Sequence, residues 1–129
     1  MPLVTISLFK GKTAEHKKRI HDAIHEALVL HFKIKDWDYN QKTREYSQDE
    51  WTLPQGRSDR YVLIEICIFP GREKETKKKL FSEIVNRLES FGIPKEDVFI
   101  LLIEQPMENW AIRGGLQADE VDLGYSRHV

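Results

Sequence analysis

Cysteine is almost missing from this chain: its 129 residues include one, Cys67, which leaves no internal disulfide. An excess of charge of one sign is missing too. Twenty Lys and Arg stand against 21 Asp and Glu, for a formal net charge of −1. That balance excludes a polyelectrolyte built for nucleic acid or an anionic membrane surface. No apolar run reaches the length of a membrane span, and the opening stretch has neither the cationic flank nor the length of a signal peptide. The absences describe a single soluble, cytoplasmic domain over residues 1–129, large enough to bury a hydrophobic core. Neither nucleic acid, nor membrane, nor cofactor is expected as a partner.

What is present is repetition. With the chain laid over itself at an offset of 60, Phe9 falls on Phe69, Gly11 on Gly71, Lys17 and Lys18 on Lys77 and Lys78, Ile24 on Ile84 and Leu28 on Leu88. Ile20 meets Leu80, so each half carries an apolar stripe at i, i+4, i+8 of a helix. Each half reads strand, glycine turn, helix, strand: 3–9, 13–32 and 38–46, then 61–69, 73–91 and 97–105. The pattern predicts an α+β fold of two β-α-β repeats, approximately 2–58 and 61–129. They join about a pseudo-two-fold axis into a four-stranded mixed sheet with both helices on one face. The strands YVLIEICIF and VFILLIE are apolar on both sides and so must be covered on both. Two helices cover one side only, which predicts an obligate oligomer.

The second residue, Pro2, opens the first strand. A proline there is harmless as a strand edge, because its missing N–H removes no interior ladder bond. It also has a chemical reading: with Met1 removed, the chain begins with a secondary amine held in a rigid ring. Under the expected topology Pro2 and Asp38 are neighbours, and the turn Phe69-Pro70-Gly71-Arg72 and the segment QPMENWAIRGG with Trp110 emerge at the same edge. A neutral amine can accept a proton or attack a carbonyl. Arg72, at a helix start, suits a substrate carboxylate, Asp38 can orient water or exchange a proton, and Trp110 offers an apolar wall. The plainer readings are a turn or cap aspartate, a solvated helix-start arginine and a tryptophan used in the core or an interface.

The stretches PLVTISLFKGKT, FPGREKETKK and EQPMENWAIRGG resemble the tautomerase superfamily, in the group that includes 4-oxalocrotonate tautomerase and malonate semialdehyde decarboxylase. The resemblance spans almost the whole chain. It implies a duplicated β-α-β tautomerase/MIF-like fold, a homotrimer, a small carboxylate substrate and an amino-terminal proline acting as general base or acid. Carried onto this sequence, Pro2 and Asp38 are the catalytic residues, and Arg72 and Trp110 bind substrate. The decarboxylase has arginines on both sides of the proline in the turn, whereas here Phe69 and Gly71 flank Pro70 and Arg72 follows one place later. The expected activity is keto–enol tautomerisation of a small 2-oxo or unsaturated carboxylic acid. The alternatives are decarboxylase or hydratase chemistry, or a non-catalytic trimeric binding or signalling module. Lys12, Arg44 and Arg113 are further cations that could meet substrate.

Two smaller motifs lead elsewhere. HDAIH at 21–25 has the spacing of a helical zinc pair but no third ligand, so a metal is not expected. KKR at 17–19 and KKK at 77–79 lie opposite the apolar stripes and are solvated faces.

Overall fold

Alternation in Leu3–Phe9 sends Val4, Ile6 and Leu8 to one side, each no more than 2% exposed. This strand, β1, lies inside a four-stranded sheet. The computed structural model describes residues 2–124, 126 and 129; Met1, expected to be removed, lies outside the described residues. Helix α1 runs Ala14–Ala27, with Thr13 as N-cap, its side chain accepting the His16 N–H at 3.0 Å. A π-helical turn, Leu28–Phe32, continues it. Strand β2 (Gln41–Tyr46) completes the first unit; β3 (Val62–Ile68), α2 (Lys74–Glu89) and β4 (Val98–Glu104) form the second. A short hairpin, β5 (Ala111–Arg113) and β6 (Leu116–Gln117), follows.

The sheet order is β2-β1-β3-β4, with β1 parallel to β2, antiparallel to β3, and β3 parallel to β4. Both helices cover one face. Their stripes, Ile20, Ile24 and Leu28 on α1 and Leu80, Ile84 and Leu88 on α2, are at most 1% exposed and pack with the inward side chains of β1 and β3 in one core. Each such side chain contributes about 1.5–3 kcal/mol by leaving water.

The units match beyond their cores. Lys17 pairs with Glu45 at 2.9 Å, and Lys77 with Glu104 at 2.8 Å, so each helix is tied to the last strand of its own unit. The lysines lie 60 positions apart and the glutamates 59. The π turn accounts for the difference. Leu28 matches Leu88 at 60, but beyond the turn Phe32 matches Phe91 at 59, and the left-handed exit residues Lys33 (φ 60°) and Gly92 (φ 103°) match at 59 as well. One extra residue in the first unit is taken up by widening a single helical turn.

Two sequence boundaries shift. The helix expected over 13–32 divides at Ala27, because the extra residue cannot be accommodated in an α-helical ladder. The strand expected from 38 begins at Gln41. Asp38 N–H donates to the Lys35 carbonyl and Tyr39 N–H to the Trp37 carbonyl, each at 3.0 Å, which turns the chain before it can pair. The polar strand β2 is an edge of the sheet.

On the sheet face away from the helices, Leu3, Phe99 and Leu101 are 42%, 53% and 45% exposed. Trp51 covers only one corner, against the rings of Phe9, Tyr46 and Tyr61. Cys67 is on this outer face and half-buried, and burial pushes its thiol pKa up. Among the described residues no helix is long and apolar enough to cross a membrane.

Candidate active site

The register of β1 gathers most of the expected residues. Val4 N–H donates to the Asn40 carbonyl at 3.1 Å and Val4 pairs with Gln41. Carried back two residues, this register sets Pro2, itself buried, beside residues 38 and 39. On the other side Leu3 pairs with Cys67, so Pro2 falls opposite Ile68, where β3 ends. Asp38 is 3% exposed in the connection leading to β2.

Phe69 then joins the remaining two residues. Its ring meets Trp110 edge-on at 4.8 Å between centroids, and its carbonyl accepts from Arg72 Nη1 at 3.3 Å. Trp110 is 8% exposed, and its indole N–H donates to the Gln105 carbonyl at 3.1 Å. The Gln105 N–H donates to the Ile68 carbonyl, which brings the segment after β4 to the same edge. Arg72 is 5% exposed, with Nη2 donating to the Phe32 carbonyl at 3.3 Å and the guanidinium 4.8 Å from the centre of the Phe32 ring. Arg72 is therefore no solvated surface cation. It ties the end of the first helix to the end of β3, and its charge stays fixed at this edge. Gly71 enters the turn at φ 130°, a conformation that favours glycine.

The other cations are distributed unevenly. Lys12 follows β1 and so lies at the opposite end of that strand from Pro2. Arg113 is exposed on the hairpin. Arg44 and Lys42 line a cavity of about 290 Å³ on the outer face at the start of β1, together with Leu3, Asn40 and Cys67. The sequence offered Arg44 only as one of three extra cations; its two-residue spacing from Lys42 on β2 places both on the outer face.

The HDAIH histidines turn to separate partners. His21 Nε2 is 2.8 Å from Thr43 Oγ1, and His25 Nε2 is 2.8 Å from the Asp36 carbonyl. Burial holds the His21 pKa below the ordinary histidine value. No group of three or more His, Cys, Asp or Glu that could hold a metal occurs among the described residues.

Known proteins agree with this architecture. Two family descriptions, each reading "Tautomerase enzyme", match residues 2–59 and 38–113. The chain belongs to the tautomerase family. Probable tautomerase YusQ of Bacillus subtilis (strain 168) is 31% identical over 121 residues, covering 89% of this chain and 95% of that relative. Among solved structures, malonate semialdehyde decarboxylase, determined in wild-type, mutant and inactivated forms to account for its decarboxylase and hydratase activities, superposes with a TM-score of 0.82. It is 29% identical and covers 88% of this tautomerase-family chain and 92% of its own. A wild-type fused 4-OT, solved as a symmetric trimer, has the same fold at 20% identity, with a TM-score of 0.78 over 91% of this chain and 96% of that one.

Proposed function

We propose that this chain is a keto–enol tautomerase for small 2-oxo or unsaturated carboxylic acids, with the amine of Pro2, released by removal of Met1, as general base and acid. The observation that carries the reading is the position of Pro2, between residues 38–39 and the end of β3, with Arg72 and Trp110 gathered on the adjacent Phe69. A free α-amino group titrates at about 7.7–8.0, close enough to neutral pH for its unprotonated form to serve as a base. It takes a proton from the carbon next to the substrate carbonyl, or from the enol oxygen in the reverse direction, and returns it at the other atom. Asp38 holds the amine and exchanges its proton, Arg72 attracts the carboxylate, and Trp110 walls off water.

The second unit supports the role of Asp38. Its counterpart at 59 positions, Asp97, is 2% exposed and accepts both the N–H of Ser58, at 2.9 Å, and its hydroxyl. A buried carboxylate at this place thus accepts hydrogen bonds from the segment leading into the neighbouring strand, Ser58 standing four residues before Val62, the counterpart of Pro2. The two units, about 2–58 and 61–129, derive in this reading from one duplicated segment. The protein is a cytoplasmic homotrimer in which a neighbouring copy covers the outer face, as the trimeric fused 4-OT suggests. Decarboxylation or hydration is a second use of the same amine, favoured by the likeness to malonate semialdehyde decarboxylase.

Pro2→Ala keeps an amine but loses the ring. Turnover of the enol of phenylpyruvate, followed by its ultraviolet absorbance, should fall by about 10²–10⁴ with the melting temperature nearly unchanged. Intact-mass measurement should show Met1 absent. Full activity in the variant, or in a species that keeps Met1, would overturn the amine mechanism.

A further inference from the structure

The polar residues of HDAIH take part in none of the steps above, yet all three face one segment. Asp22 accepts the Tyr39 hydroxyl at 2.6 Å. His25, 5% exposed, donates from Nε2 to the Asp36 carbonyl at 2.8 Å, and its ring lies flat on Tyr39, with centroids 4.0 Å apart and planes 9° from parallel. His21 reaches Thr43, and its carbonyl accepts from the Gln41 side chain at 3.0 Å. The helix therefore holds the segment 36–43 at both ends and on both sides of Asp38.

The second unit serves as an internal control. At the same places it has Phe81, Ser82 and Val85 on the helix, and Val98 and Leu102 opposite them in the positions of Tyr39 and Thr43. Val98 and Leu102 simply pack on the core. An apolar seam thus builds the same β-α-β unit, and the polar seam appears only in the unit whose first strand opens with proline. Asp36 itself is exposed, so the bond from the buried imidazole does not serve to bury that residue. What the bond does is restrict where the chain runs.

We propose that Asp22 and His25, with Tyr39 between them, are positioning residues: they fix the 36–39 connection so that Asp38 stays aligned with the Pro2 nitrogen. The functional half of this inference rests on the amine reading of Pro2; the clamp itself does not.

Two variants separate the contributions. His25→Phe keeps a flat ring on Tyr39 and removes the Nε2 donor, whereas Tyr39→Phe keeps the stack and removes the hydroxyl bonded to Asp22. Tyr39 is 41% exposed, so its variant should fold even if the other does not. Amide hydrogen exchange, which needs no substrate, should quicken about tenfold at Asp38 and Val4 in both variants and stay unchanged at Ile64 within the sheet. On phenylpyruvate enol, kcat should fall about tenfold with KM within about twofold, the split expected when alignment and not binding is lost. His25→Gln, whose amide can still donate to the Asp36 carbonyl, should recover part of kcat. Unchanged exchange at Asp38 in both variants would overturn the clamp. Faster exchange with unaltered kcat would overturn its link to the amine. Should the unmutated protein fail to turn over the enol, the tautomerase reading falls while the exchange data still decide the clamp.

Discussion

His21 shows how one side chain carries both fold and pH sensitivity. Burial lowers its pKa from 6.5, and its Nε2 sits against Thr43. As pH falls through 6.5 the unfolded chain gains a proton that the folded chain resists, so this contribution to stability is complete above about 6.5 and declines below it. His16, lowered by the same cause, adds to the slope. Urea midpoints should accordingly drop between about pH 7 and 5, and His21→Gln should make that drop shallower. An equal slope in the variant would assign the effect elsewhere. Arg72 behaves differently, since its contacts are with Phe69 and Phe32 carbonyls. Arg72→Ala should therefore lower both kcat/KM, by about 10- to 150-fold, and stability, and Lys should recover little of either. Kinetics and urea midpoints measured on the same samples would show a purely catalytic arginine by an unchanged midpoint. The grouping of Pro2, Asp38, Arg72 and Trp110 at one edge was legible in the sequence because strand order follows from the repeat. The Arg72 anchor was not, because the Phe32 carbonyl that receives it lies 40 positions away.

At the level of elements, stripes and ties contribute unequally. Ile24→Ala and Ile84→Ala, both at fully buried positions, should each cost about 2–5 kcal/mol. Lys17→Ala and Lys77→Ala break partly exposed ion pairs and should each stay within about 1 kcal/mol. Urea unfolding at one fixed protein concentration would test the ranking; comparable losses would mean the lysine ties hold helix to sheet as much as the stripes do. Both stripes were legible from spacing alone, as were the two glycine turns. The π turn was not, since Leu28–Phe32 has no glycine or proline to mark it and its only sign is a change of offset between the halves. The late start of β2 was equally hidden, because turns through Asp38 and Tyr39 leave no alternation to read.

For the whole molecule, the outer sheet face governs behaviour. Leu3, Phe99 and Leu101 expose apolar side chains on one sheet face, the kind of surface on which a second copy is expected to pack. Sedimentation equilibrium should give three times the 15.2 kDa chain mass, and Phe99→Asp with Leu101→Lys should release monomers that keep their helical circular dichroism. A stable monomer of the unmutated protein would contradict the burial argument. The apolar outer face was legible in strands apolar on both sides, and the two-residue spacing of Lys42 and Arg44 already sets them on one face. That Leu3 and Cys67 line the same cavity as these cations was not legible, because it depends on cross-strand register.

The widened turn at Leu28–Phe32 also makes the two units non-interchangeable. It belongs to the first unit, yet the carbonyl at its end receives an arginine from the second. A protein assembled from two first units would carry Lys12 where Arg72 is needed. One assembled from two second units would begin its strand with Val62 in place of the proline and would lack the extra helical residue. Neither hybrid could rebuild this edge of the sheet, so the molecule looks symmetrical but works as a pair of unlike parts.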